Sequence, residues 1–134
     1  MVDFCRSPHI VIVGAGPAGL LAAISAAQQG GVRVTILEKN AEAGQKLLLT
    51  GQGRCNVTNF SPNAEIIARF FDNGKFLYKP LHHFDAEALR DFFASQGLRL
   101  VEQERGRAFP ETQKARDVLG ALLKAALDSG VDIR

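Results

Sequence analysis

Three glycines at the spacing G-x-G-x-x-G, Gly14-Ala15-Gly16-Pro17-Ala18-Gly19, come directly after a β-branched run, His9-Ile-Val-Ile-Val13, and open a stretch rich in alanine and leucine. A turn of this kind between a strand and a helix is suited to hold a pyrophosphate. Gly14 makes the bend, Gly16 lets the backbone approach the phosphates, and Gly19 lets the helix lie close to the strand. The phosphates then face free N–H groups at the positive end of the helix dipole, so the whole segment, with Ala15, Pro17 and Ala18, is a candidate binding surface. Glu38 stands nineteen residues beyond Gly19, at the end of a second hydrophobic run, Val32 to Glu38. A carboxylate there can accept hydrogen bonds from both ribose hydroxyls of an adenosine and would repel a 2′-phosphate. This pairing points to FAD or NAD rather than NADP.

The segment after Glu38 decides between the two dinucleotides. Lys39-Asn-Ala-Glu-Ala-Gly44-Gln-Lys46 and Leu47-Leu-Leu-Thr-Gly51-Gln-Gly53-Arg54-Cys55-Asn56-Val-Thr58-Asn59 are too polar and too dense in glycine for the crossover helix that a plain NAD-binding domain would resume here. The chain instead resembles the FAD flavoproteins of the BaiN-like family, which has aminoacetone-oxidase-like and dehydro-bile-acid-reductase-like members. The resemblance rests on V-G-A-G-P-A-G-L, L-E-K, G-Q-K-L-L-L-T-G-Q-G-R-C-N-V-T-N and G-R-A-F-P, and it spans nearly the whole chain. The stretch G-x-G-R-C-N-x-T-N is its specific part.

The resemblance implies an α/β fold: a Rossmann-like FAD-binding domain of the two-dinucleotide-binding flavoprotein type, with a parallel sheet and FAD extended across it. Gly14, Gly16 and Gly19 would carry the pyrophosphate turn, Glu38 the ribose, and Lys39 would lie beside the adenine. Lys46 and the loop from Gly51 to Asn59, Gly53 included, would approach the middle or the flavin end. Arg54 would anchor phosphate or loop, and Asn56 and Thr58 would offer donors to the ribityl chain. In such flavoenzymes the flavin takes a hydride from substrate or from NAD(P)H and passes electrons to oxygen or to an unsaturated acceptor.

Family members are much longer. Residues 1–134 are therefore expected to form the N-terminal part of a single FAD/NAD(P)-binding domain, its sheet incomplete at the C-terminus and the substrate-covering domains absent. Turnover by this chain alone is not expected. A fragment of an NAD-dependent Rossmann dehydrogenase and a non-enzymatic dinucleotide-binding remnant are the alternatives.

Local sequence patterns supply the framework for these residues. His9–Val13 has the length and composition of a fully buried parallel strand, residues 18–29 form a helix ending before Gly30-Gly31, and Val32–Glu38 forms a second strand: a βαβ unit. Residues 39–63 read as loop, with Leu47-Leu48-Leu49 assignable to neither helix nor strand. Asp85 is a helix N-cap for residues through Gln96, with Leu89, Phe92 and Phe93 on one face. Leu98–Val101 reads as a strand and Arg105–Pro110 as a turn. Residues 114–129 form an amphipathic helix burying Val118, Leu119, Leu122, Leu123, Ala126 and Leu127. Val131–Arg134 opens a further strand. The pairs Phe70-Phe71 and Phe92-Phe93 read as core.

The remaining features restrict the function further. The chain has 134 residues, a net charge of +2 and 46% hydrophobic residues, which suits one globular domain and excludes disorder. The uncharged run Ile10–Ala27 is interrupted by its own glycines where a signal peptide needs a continuous helix, so no membrane segment is expected. Lys75, Lys79, Arg99, Arg105 and Arg107 form no continuous basic stripe, and nucleic acid is not an expected partner. Cys5 and Cys55 lack the spacing of a disulfide framework or zinc site, and His82-His83 reads as surface, leaving no metal site and no assigned catalytic residue. Cys55 reads as packed in its loop. A cytoplasmic setting, an unidentified small-molecule substrate and self-association through an uncompleted sheet complete the expectations.

Overall fold

The computed structural model describes residues 7–134, so Cys5 lies outside the described residues. His9–Val13 (β1), Pro17–Gln28 (α1) and Arg33–Leu37 (β2) form the expected βαβ unit, and β2 pairs in parallel with both β1 and Asp132–Ile133 (β6). Register is set by alternation: Ile10 sits opposite Val34 and Ile12 opposite Ile36, one apolar face that packs against α1 and Ala115–Asp128 (α6). Leu20, Ala23 and Ile24 of α1 meet Val118, Leu122 and Ala126 of α6 in this core.

The expectation that β1 is buried on both faces is corrected. Val11 and Leu37 are half exposed and Val13 is 86% exposed, because helices cover only one face of the sheet among the described residues. Thr35, on the other face, is buried, its hydroxyl bonded to His9 Nε2 at 2.9 Å.

Between β2 and α6 the chain builds a second layer. Leu47-Leu48-Leu49 resolves as a short helix, Gln45–Leu49 (α2), entered through Gly44 at φ +67. A Cβ at Gly44 would run into Leu119 of α6, so the helix starts where only glycine fits. A 3₁₀ turn, Thr50–Gly53, leads on to Thr58–Asn59 (β3), which pairs antiparallel with Arg107–Pro110 (β5). On its other side β5 pairs with Leu100–Glu102 (β4). Arg105–Pro110 is thus a turn only through Gly106, and from Arg107 it is the central strand of a small sheet.

Asn63–Ala68 (α3), a 3₁₀ segment Phe71–Leu77 and Tyr78–His83 (α4) form an excursion that the sequence pattern does not announce, and His82 and His83 lie exposed on it. Ala86–Ser95 (α5) begins at Asp85, whose carboxylate accepts the N–H of Ala88 at 2.9 Å. Two core assignments fail. Phe70 and Phe71 are 51% and 92% exposed, on a helix end and 3₁₀ turn with no helix packed over them, and Leu127 projects from the last turn of α6 into solvent. Phe93, by contrast, is buried. No helix among the described residues is long and apolar enough to cross a membrane.

Candidate functional site

The glycine turn closes as its spacing requires. Gly14 adopts φ +98 and donates its N–H to the Leu37 carbonyl at 2.8 Å, which ties the end of β1 to the end of β2. A Cβ at Gly19 would collide with the Gly14 carbonyl oxygen, so α1 can lie this close to the turn only without one. Gly16 is the N-cap of α1 and has nothing within 4 Å of where its Cβ would stand. Pro17 has no N–H, and Leu20 donates to the Gly16 carbonyl at 2.9 Å, so Ala18 and Gly19 hold the N–H groups of the first turn without an intrahelical acceptor. No acidic side chain stands in that turn. An open glycine face, free N–H groups and the positive end of a twelve-residue helix fit a pyrophosphate.

Glu38 is more engaged than its spacing reveals. One carboxylate oxygen accepts the N–H of Ala15 at 2.8 Å, and the other accepts the backbone N–H of Asn40 at 2.9 Å and its side-chain amide at 2.7 Å. The Asn40 N–H first, and the Ala15 N–H after it, hold the carboxyl below the ordinary glutamate range. A carboxylate has about four acceptor positions. With three taken, about one acceptor position of Glu38 remains for a donor from a ligand. Gly14, Glu38, Lys39 and Asn40 line one cleft, with Lys39 exposed at its edge. Sequence reasoning missed Asn40, although a polar side chain two residues after an acid in a turn is a known way to bind it.

The second motif is built on β5. Val57 donates to the Ala108 carbonyl at 2.8 Å, Phe60 to Gly106 at 2.7 Å, and the Asn59 amide to Arg105 at 2.8 Å. The Arg54 guanidinium lies 4.6 Å from the centroid of the buried Phe109 ring and donates through Nε to the Gly51 carbonyl at 3.2 Å. Arg54 therefore anchors the loop, with Gly53 exposed beside it. In the amide orientation that satisfies its neighbours, Asn56 Nδ2 donates to the carbonyls of Thr58 at 3.1 Å and Ala108 at 3.2 Å. Its donors are spent on the loop, and its outward group is an acceptor oxygen. Thr58 is fixed in β3, half-buried opposite Ala108. Phe109 and Ala108 were visible in G-R-A-F-P only as residues that fix the path of the chain.

The two motifs meet at a cavity of about 390 Å³ behind the glycine turn. Pro17 of the turn, Lys46 of α2, and Thr50 and Asn56 of the loop stand around it. Cys55 lines it too, buried, at φ +62, its thiol pushed up by desolvation with a smaller opposing bond from Thr50. The structure thus places the predicted residues in two groups, with Gly14, Glu38 and Lys39 on one side of the turn and Pro17, Lys46 and Asn56 on the other. Among the described residues no cluster of three or more His, Cys, Asp or Glu could hold a metal.

Comparison with known proteins agrees with the Rossmann-like fold. The family model described as HI0933-like protein Rossmann domain matches residues 8–134. The 3-dehydro-bile acid delta(4,6)-reductase of Clostridium scindens is 37% identical over 115 residues, 85% of this chain and 27% of that protein. The ribosomal RNA dihydrouridine synthase of Escherichia coli is 29% identical over 124 residues, 92% of this chain and 30% of that protein. The chain therefore spans less than a third of the length of these relatives. Among solved structures, Thermovibrio ammonificans THI4 superposes with a TM-score of 0.60 at 18% identity, covering 96% of this chain and 38% of that one, a likeness of fold.

Proposed function

The chain belongs to the HI0933-like Rossmann-domain family, and from that premise we propose that it holds FAD as the dinucleotide-binding part of a flavin-dependent oxidoreductase. The observation that carries this reading is the division of the site by the glycine turn. The Glu38 cleft suits an adenosine, the Gly16–Gly19 face suits the pyrophosphate, and a separate cavity beyond Pro17 remains for the other half of the molecule. Bound flavin would supply two-electron chemistry.

This chain's own residues bind and orient. Glu38 accepts from the ribose, the Ala18 and Gly19 N–H groups and the α1 dipole hold the phosphates, and Lys46, on the wall of the cavity, supplies a countercharge. Asn56 offers its oxygen to a hydroxyl or N–H of the ligand, while Arg54 and Phe109 keep the loop in shape.

The relatives' names support a substrate class. One name describes reduction of the double bonds of a bile acid, and the other the making of dihydrouridine, the saturated form of the uridine ring. The common reaction is reduction of a carbon–carbon double bond. We extend it to the full flavoenzyme, with NAD(P)H as electron donor and a cytoplasmic location.

Calorimetric titration of the purified chain with FAD and with NAD tests the cofactor. FAD should bind more tightly than NAD. Binding of NAD without any FAD heat would overturn the flavoprotein reading.

A further inference from the structure

We propose that the outer edge of β1 pairs with β1 of a second copy of this chain, antiparallel about a twofold axis at Val11. The pairing does not depend on which cofactor the chain holds.

Two backbone bonds bracket the β1–β2 ladder: Arg33 donates to the Pro8 carbonyl at 2.9 Å, and Gly14 donates to the Leu37 carbonyl at 2.8 Å. Main-chain groups alternate sides along a strand. Ile10 and Ile12 therefore turn theirs towards β2, while His9, Val11 and Val13 turn their N–H and C=O groups away from it. No strand lies on that side of β1 among the described residues, and these groups have no hydrogen-bond partner there. The same three residues carry their side chains on the sheet face that the helices leave open.

Sheet edges are commonly blunted by lysine, by proline within the strand or by a bulge. His9–Val13 has none of these, and its register with β2 is unbroken. Its one polar side chain, His9, is turned back over β2, where the ring meets the Thr35 hydroxyl at 2.9 Å and the Arg33 guanidinium at 3.1 Å.

Geometry selects a second β1 in antiparallel orientation. In a parallel pair, a residue whose groups point at the neighbour stands opposite one whose groups point away. Two identical edges could thus pair in parallel only one residue out of register, which a twofold axis forbids. In an antiparallel pair, opposed residues can exchange both bonds. With the axis at Val11, His9, Val11 and Val13 of one copy face Val13, Val11 and His9 of the other, and every outward N–H and C=O of the edge is paired. Val11 then packs on its own counterpart, a β-branched cross-strand pair. The two sheets become one, and no third copy can add through β1. An edge of three residues is small beside the interfaces of stable dimers, so the association is reversible and follows concentration.

Sedimentation equilibrium of the purified chain should show the average mass rising from one chain towards two with concentration. Val11→Pro deletes one outward N–H and leaves the ladder to β2 untouched, a substitution that edge strands accept, and it should stay at one chain throughout. Circular dichroism reports whether that variant has folded. Where it has not, a pair of cysteine variants decides. In a Cys5→Ser background, Val11→Cys should cross-link to a second copy under mild oxidation, because directly opposed, bonded residues stand about 5.5 Å apart between Cα atoms, within disulfide range. Val13→Cys, also exposed, should cross-link to itself several-fold less, because in this register its counterpart lies four residues away along the strands, about 14 Å.

A mass of one chain at every concentration would overturn the proposal and leave the edge to a strand of another kind. A folded Val11→Pro that associates as the parent does, an open-ended assembly, or equal cross-linking of Val11→Cys and Val13→Cys would overturn it as well.

Discussion

The Glu38 carboxylate accepts the N–H of Ala15 at 2.8 Å across 23 residues of sequence, so the acid just beyond β2 also props the glycine turn just beyond β1. The proposed ribose contact and the geometry of the turn would thereby be coupled in one side chain. The N–H groups that bind Glu38 also lower its pKa, with Asn40 first and Ala15 second.

That coupling sets a pH dependence. A carboxyl with a folded-state pKa below its unfolded value stabilises the fold at pH above the ordinary glutamate range and loses that contribution as pH falls through the folded value. Thermal unfolding measured from neutral pH down through the carboxylate range should show a shallower acid limb in Glu38→Gln than in the parent. The same variant should bind FAD more weakly at neutral pH, with ADP weakened in parallel because both carry the ribose. A variant with the parent's acid limb and the parent's affinity would place Glu38 outside both roles.

Gly16 and Gly19 should separate binding from folding. Gly19→Ala forces a Cβ into the Gly14 carbonyl and should cost about 1–3 kcal/mol of stability, the range for overpacking of a closed site. Gly16→Ala meets open space at a φ of −79° that alanine adopts freely, so its melting temperature should stay close to that of the parent. The methyl group would stand where a pyrophosphate must approach, and both FAD and ADP should bind more weakly. Chemical denaturation and ligand titration of the pair test this contrast directly.

The parts legible in the sequence are those in which neighbours in the chain are also neighbours in space. The His9–Leu37 unit, the glycine turn and Asp85 as a helix cap depend on contacts within a few residues or within one βαβ unit. Of the β3–β5–β4 sheet only β4 was legible as a strand, and the pairing was not, because β3 is two residues long and its partner lies nearly fifty residues away. Leu47–Leu49 reads ambiguously because five residues are too few to display a helical period, and Leu119, far along the chain, determines what Gly44 can be. Phe70 and Phe71 illustrate the remaining gap: hydrophobicity states that a side chain prefers burial, not that any element lies over it.

Phe71 and Phe109 should therefore respond oppositely to truncation. Phe109 is 1% exposed and carries Arg54 over its ring, so Phe109→Ala should cost about 3–5 kcal/mol, as for buried aromatics in general. Phe71→Ser, at 92% exposure, should change stability by no more than about 0.5 kcal/mol. Urea unfolding of both variants measures the difference. A large loss for Phe71→Ser would show that its side chain packs against something when the chain is in solution.

Asn56 offers a sharper probe of the second motif, because its amide nitrogen donates to two carbonyl oxygens, those of Thr58 and Ala108. Asn56→Asp replaces those donors with a carboxylate oxygen of nearly the same size. At neutral pH two hydrogen bonds become two repulsive contacts, which should cost about 1 kcal/mol or somewhat more per bond lost, reduced where water reaches the site. The carboxyl can regain one of the bonds by holding a proton, so its own pKa should rise and the loss of stability should shrink as pH is lowered. Asn56→Ala removes the donors without adding charge and should show no such recovery. Stability of the two variants as a function of pH distinguishes a loop held by the Asn56 amide from one held by β3–β5 pairing alone, in which case Asn56→Asp and Asn56→Ala would trace the same curve.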